Sequence, residues 1–388
     1  MSGVPSILYH RVLPSASSDQ GYFPQSSVDF VLAVPARKLL SGSIRFEGTI
    51  TVLKADGTAV DRTDKPHIDS FVGAHTFFDQ LSTEVQSKGM LETLANYPRM
   101  VSQMSKASFS QDDTCSLKMG AELRSGGKQA NGMYALQAVV ERSDTGDDTQ
   151  NAEMVAAAQP ASFSIKPMMC FNRSQGGMLS FDKQGFVRIS CILSSSLDAL
   201  FGKDSAGLAG CSYVLNDLAC RFVSVPDDGD MSPQLMRSYV STVNSVQSTA
   251  SSIVSRVPSS RVNGVSVSFV KQSDENDPDK NSLGLQSLPS YVSAEYLFAN
   301  STNQNVTYVI RDRGDAVQRG IDALSDSGHN NVSVTTLAAN DGFIVGLPFS
   351  EFLDLSQQLF SMRLNVGSTS ITNNPLNCYS VFSTLIEL

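Results

Sequence analysis

The chain has 388 residues, and 29 basic against 38 acidic side chains leave a formal charge of −9. With no Lys/Arg block, it lacks the electrostatic footprint of a nucleic-acid binder. No apolar run approaches the roughly 18 residues of a membrane-spanning helix, and the N-terminal stretch lacks the basic start and apolar centre of a secretory signal. Charged residues make up only 17% of the chain; serine, at 58 residues, fills part of the gap. Apolar residues, 41% of the total, are spread over the whole length, enough for a sizeable core, and the length suggests two domains or three.

Periodicity reads mostly as strand. Residues 1–24, with three prolines, read as an N-terminal arm. Residues 27–34 are rich in β-branched and aromatic side chains, and 44–53 alternate, with Ile44, Phe46, Ile50 and Val52 on one parity. Further strands are expected at 68–78, 133–141, 162–171, 186–194, 212–225, 264–271, 291–298, 305–311, 332–337, 343–347, 358–366 and 378–387. Turn clusters such as 54–58, 124–132, 141–148 and 172–177 separate them. Helical spacing is rarer: 77–87, then 90–106 interrupted by Pro98, then 315–326. In the last, Val317, Ile321 and Leu324 share a face, and Asp315 is placed to cap the start. A linker at 227–236, rich in proline, glycine and acids, follows a strand ending at Val225. Beyond it, 237–257 is too rich in Ser, Thr and Val for a stable helix. The expected fold is all-β: a first sandwich at 25–226 and a second at 237–388, with no strict sequence repeat between them.

Chemistry-bearing motifs are scarce. The six cysteines form no C-x-x-C pair, and the four histidines are scattered, so neither a metal site nor a cofactor is expected. Buried free thiols are the expected state of the cysteines. Asn172, Asn300, Asn305 and Asn331 begin N-x-S/T triplets that chance explains in so serine-rich a chain. No phosphate loop or nucleophile elbow is present. Asp144-Thr145-Gly146 and Asp326-Ser327-Gly328 place one D-T/S-G triplet in each half, as bilobal aspartic proteases do. Their flanks are charged or turn-forming, unsuited to desolvating a carboxylate pair. Tyr97 is expected to pack and Arg99 to make a structural ion pair. The acidic loops at 144–148, 227–230 and 273–280 read as solvated connections, with a calcium site between subunits as the alternative, although none has the spacing of a calcium loop.

Four segments carry a resemblance. MLETLANYPRMVSQ (90–103) resembles a helix-and-loop segment of the double jelly-roll major capsid proteins of polinton-like viruses and virophages. Residues 162–194 are similar to the paired late strands of that group's first barrel. Residues 243–270 resemble the entry into the second, and 356–385 the closing strands. The matches cover about a third of the chain, in the right order. The resemblance implies two consecutive jelly rolls, homotrimers that tile an icosahedral double-stranded DNA virus shell, and no enzymatic activity. It also implies penton and minor capsid proteins as partners besides the chain itself, a virion location, and assembly inside the host cell. A serine-rich, weakly charged surface would suit contacts between copies. Two other classes stand beside this reading: a β-sandwich attachment or carbohydrate-binding protein, and the aspartic protease using Asp144 and Asp326. A vertex or minor capsid protein is a third, within the structural class.

Overall fold

The computed structural model describes residues 7–16, 18–58, 67–69, 72–108, 133–135, 161–173, 178–200, 211–229, 235–275, 277, 280–283, 291–299, 305–324, 344–366 and 375–388. The expected strand at 332–337 lies outside these residues, as does most of 133–141.

Among the described residues, twenty strands follow one another. The first twelve are β1 (Leu8–Val12), β2 (Ser27–Leu32), β3 (Arg37–Leu40), β4 (Arg45–Leu53), β5 (His67–Asp69), β6 (Phe78–Val85), β7 (Gly89–Leu94), β8 (Met133–Ala135), β9 (Ala161–Ile165), β10 (Met178–Ser180), β11 (Val187–Leu193) and β12 (Ser212–Pro226). The other eight are β13 (Leu235–Val246), β14 (Ala250–Arg256), β15 (Val262–Lys271), β16 (Tyr291–Ala299), β17 (Asn305–Ile310), β18 (Ile344–Leu353), β19 (Leu359–Val366) and β20 (Leu376–Glu387). Two twelve-residue helices, α1 (Tyr97–Ser108) and α2 (Arg313–Leu324), interrupt them. Among the described residues, β1–β12 pair only with one another, and β13–β20 likewise.

The register shows one plan used twice. Ser224 of β12 is opposite both Leu8 and Leu39, so β1 lies on one edge of β12 and β3 on the other. Strand β4 continues along the β3 edge, with residues 41–44 bulging between them. Strands β9 and β10 pair with β4 and β3 in the same interrupted fashion. The sheet is therefore β1, β12, β3/β4, β10/β9, and its partner is β2-β11-β6-β7. In the second half the sheets are β13-β20-β15-β18 and β14-β19-β16-β17, the same order of corresponding strands. Each pair of sheets closes on an aromatic core: Phe30 meets Phe46 at 5.5 Å in the first, and Phe360 meets Phe382 at 5.0 Å in the second. Ile44, Phe46, Ile50 and Val52 all point inward, as their alternation predicts.

Four sequence expectations are corrected. Leu8–Val12, placed in an arm, is an edge strand of the first sheet. The helix expected at 77–87 is β6. Its register with β11 shifts between Ile192 and Leu193, so Phe78, Leu81 and Val85 all reach the core at a spacing that imitates a helix. The segment 90–106 divides: β7 comes first, then Asn96 turns the chain at φ 50°, and α1 starts at Tyr97. Pro98 is thus not an interruption but sits in the first turn, where no backbone N–H is needed. In α2 the capping carboxylate is Asp312, which accepts from the backbone N–H of Asp315 at 3.0 Å. Asp315 instead pairs with Arg319 one turn on. Val317, Ile321 and Leu324 are buried as expected.

Helix α2 lies directly on β15 and β18 because glycine faces glycine. A Cβ on Gly346 would come within 2.3 Å of Gly320 Cα, and one on Gly320 within 2.7 Å of an Ile344 methyl. Replacing Gly346 with Ala should therefore lower unfolding stability by about 2 kcal/mol, because the helix must be pushed off the sheet. Chemical denaturation of the two proteins checks this.

Candidate functional site

Asp144 and Asp326 both lie outside the described residues, as do Cys115, His329 and the loop 144–148. The other two acidic segments are not plain solvated loops. Asp227 is 3.8 Å from the buried Lys38 ammonium and accepts from Ser180, while Asp228 also bonds Lys38. The Ser180 hydroxyl and the lysine hold the Asp227 carboxyl below its ordinary range. The first residues of the link are thus pinned to the first sandwich. Cys170, Cys191, Cys220 and Cys378 are buried thiols outside any disulfide. Burial pushes all four thiols up, that of Cys378 to about 12, so none of the four is an activated nucleophile. Asn172 is buried, and its amide bonds the backbone of Ile44 and Pro167, which leaves it no freedom to accept a sugar. Among the described residues no cluster of three His, Cys, Asp or Glu side chains could hold a metal ion.

The most concentrated polar chemistry lies where the halves meet, on α1. The helix is anchored in the first sandwich by Tyr97, whose buried hydroxyl accepts from Met168 N–H at 2.9 Å and lies 2.7 Å from His75 Nδ1. Two residues on, Arg99 reaches into the second half. Its guanidinium pairs with Glu275 at 3.2 Å, donates to Ser282 O at 2.6 Å and stacks 4.4 Å from the Tyr379 ring. Glu275 also accepts from Tyr379 Oη at 2.7 Å and from the Asn377 amide. Ser102 donates to Leu283 O, and Gln103 donates to Ser268 Oγ and Tyr379 O. The expected structural ion pair of Arg99 is therefore present, and its partner comes from the far sandwich. Glu275 belongs to the acidic segment 273–280, so that segment closes the seam. Tyr379 and Gln103 carried no sequence signal; only the approach of α1 to β15 and β20 brings them together.

Strand β7 makes the second crossing. Glu92 is fully buried, and its carboxylate accepts from Cys170 N–H at 2.8 Å, Thr83 Oγ1 at 3.2 Å and, across the seam, Ser238 Oγ at 2.7 Å. Beside it, Arg173 lies 5.1 Å over the ring of Tyr239 on β13. Several serines expected at the surface are here instead: Ser102, Ser238, Ser268 and Ser282 are each at most 3% exposed. Short hydroxyl side chains let α1 approach the sheet closely while meeting the polar groups it brings.

Loss of solvent raises the Glu92 carboxyl above the ordinary 4.5, against the pull of its three donors. The folded protein thus holds this proton more tightly than the unfolded chain. Ionised Glu92 costs stability at high pH, and that cost disappears as pH falls through its raised value toward 4.5. Glu92→Gln removes the titration; its amide oxygen can still accept from Cys170 N–H and Thr83 Oγ1, and its NH2 can donate to Ser238 Oγ once that hydroxyl turns. Between about pH 8 and about pH 5, wild type should gain melting temperature relative to Glu92→Gln, and parallel curves would contradict this.

No protein family and no curated protein matches the sequence. Solved structures do match over nearly the whole chain. The Faustovirus major capsid protein is 10% identical, with a TM-score of 0.61, over 98% of this chain and 90% of that one. The PBCV-1 VP54 protein, fitted into a reconstruction of the virophage Sputnik, is 10% identical at TM-score 0.59, over 100% and 96%. The mavirus major capsid protein is 9% identical at TM-score 0.52, over 97% and 86%. These likenesses establish the fold: the chain is a double jelly roll like those of virophage and giant-virus major capsid proteins.

Proposed function

We propose that this chain is the major capsid subunit of an icosahedral double-stranded DNA virus, and that three copies form a pseudo-hexagonal capsomer. The observation that carries the reading is the pair of equivalent sandwiches held in one chain by a buried polar seam. Two similar bodies fixed side by side give each subunit two corners of a hexagon, so three subunits complete six. The jelly-roll units are 25–226, extended by β1, and 237–388, joined by a link at 227–236 whose start is pinned through Lys38. What precedes β1 would form a short arm toward the shell interior or a neighbour.

The working chemistry in this reading is association. Apolar contacts hold the trimer, and weaker, largely polar contacts between capsomers add up over a closed lattice. The chain's partners are then its own copies, with penton and minor capsid proteins at special positions. Its place is the virion, after assembly inside the host cell. A chain of net charge −9 would leave contact with the genome to another protein.

Size-exclusion chromatography with light scattering should give three times 41.7 kDa. Negative-stain images of that peak should show a six-cornered outline. A protein that remains at the single-chain mass at all concentrations would overturn the proposal.

A further inference from the structure

No stretch of the sequence holds a basic block, but the register of the first sandwich assembles one. Arg11 of β1 is opposite Arg221 of β12, and Arg221 is opposite Arg45 of β4. Phe46 is opposite Ile165, so the next step along the same ladder sets Arg45 beside Lys166, just past the end of β9. Phe46 and Cys220 point inward, and His10 stacks on the buried Phe222 at 4.7 Å. Alternation therefore puts the three arginines on the outer face of the sheet, with Lys166 at its rim. With strands about 4.8 Å apart, the four cations form a row about 14 Å long that crosses four strands.

Like charges directly opposite on neighbouring strands repel. Only half of the row is relieved. Glu47 pairs with Arg11 at 2.8 Å and also with Arg221. Burial pushes the Glu47 carboxyl up, yet the two guanidiniums outweigh it and hold it below its ordinary range. Among the described residues no carboxylate meets Arg45 or Lys166. Lys166 is half-buried, and its ammonium lies 3.2 Å from where a Cβ on Gly42 would stand, so it is seated against the 41–44 turn. Burial, then Arg45 and Arg173, push that ammonium below its ordinary value. A cation held in place, partly out of water and beside other cations, lacks the counter-charge that would offset its desolvation. We infer that Arg45 and Lys166, extended by Arg221, form a site for a multiply charged oxyanion, an oligophosphate free in solution. Glu47 displays the chemistry on the other half of the row, where one carboxylate bridges two guanidiniums. Four cations against that single carboxylate leave a surplus that one more carboxylate would not match, whereas an oligophosphate would. The guanidinium offers a planar fork and the ammonium a point charge, and both suit phosphate oxygens. This site does not depend on the shell-subunit reading.

Calorimetric titration of the full chain with sodium tripolyphosphate, at fixed ionic strength, should show saturable binding. Arg45→Gln and Lys166→Gln should each weaken it about tenfold, the loss expected for one hydrogen bond to a charged group. Arg256→Gln, at the exposed end of β14 in the second sandwich, should leave it unchanged. Without ligand, both row variants should melt no lower than wild type, because each removes a repelling neighbour. That readout separates a binding role from a structural one. Absence of saturable binding, or binding that survives in both row variants, would overturn the inference. Sedimentation with phosphatidylglycerol and with phosphatidylcholine vesicles tests the other phosphate source. Pelleting with the anionic vesicles alone, with no tripolyphosphate binding, would replace the free anion by a lipid headgroup. Loss of self-association in both row variants, with no tripolyphosphate binding in wild type, would instead give the site to a carboxylate of a second copy and sink the proposal.

Discussion

Polar groups buried on α1 and β7 have to find partners, and the partners lie in the other sandwich. Arg99, Gln103 and Glu92 are taken out of water by helix-on-sheet and strand-on-strand contact. A buried charge or amide without a partner costs several kcal/mol. Glu275, Ser268, Tyr379 and Ser238 meet the Arg99 guanidinium, the Gln103 NH2 group and the Glu92 carboxylate only at one relative placement of the two bodies, while Gln103 Oε1 stays unpaired. Apolar contact alone would tolerate sliding by an ångström or two; these bonds do not. The seam therefore acts as a geometric lock, and the shape that the chain presents to its neighbours follows from it.

The lock joins two bodies built to the same plan. Both sandwiches use the same strand order, and both insert a twelve-residue helix three residues after the corresponding edge strand. The helices are used differently. In the second sandwich, α2 is held tight against its own sheet by facing glycines, whereas α1 gives its polar face to the other half. Helix α2 also packs against α1, so the connector of one sandwich rests on the helix of the other.

Much of the fold was legible in the residues. Alternation at 44–53 and the β-branched runs at 212–225, 358–366 and 378–387 became strands, because a half-buried sheet demands a two-residue period. The apolar face of α2 was legible for the equivalent reason. Where a bulge shifted the period, as in β6, the same rule misread a strand as a helix. Strands β1 and β3 were missed because five and four residues carry too little pattern to stand out. Arg99 was readable as an ion-pairing residue, but its partner, 176 positions away at Glu275, was not.

By itself the sequence determined the all-β class, the paired architecture and the scarcity of catalytic material, since these depend on composition and on local period. Tertiary structure decided what the serines and acids were for. Low charge and abundant serine suggested a surface suited to meeting copies of itself. Several of those serines instead line the internal seam, and Glu92 and Glu275 are seam residues rather than solvated ones. A hydroxyl or carboxylate has the same local propensity whether it faces water or a helix from the other sandwich. Only the long-range approach of α1 to β15 and β20 sets which of the two it meets.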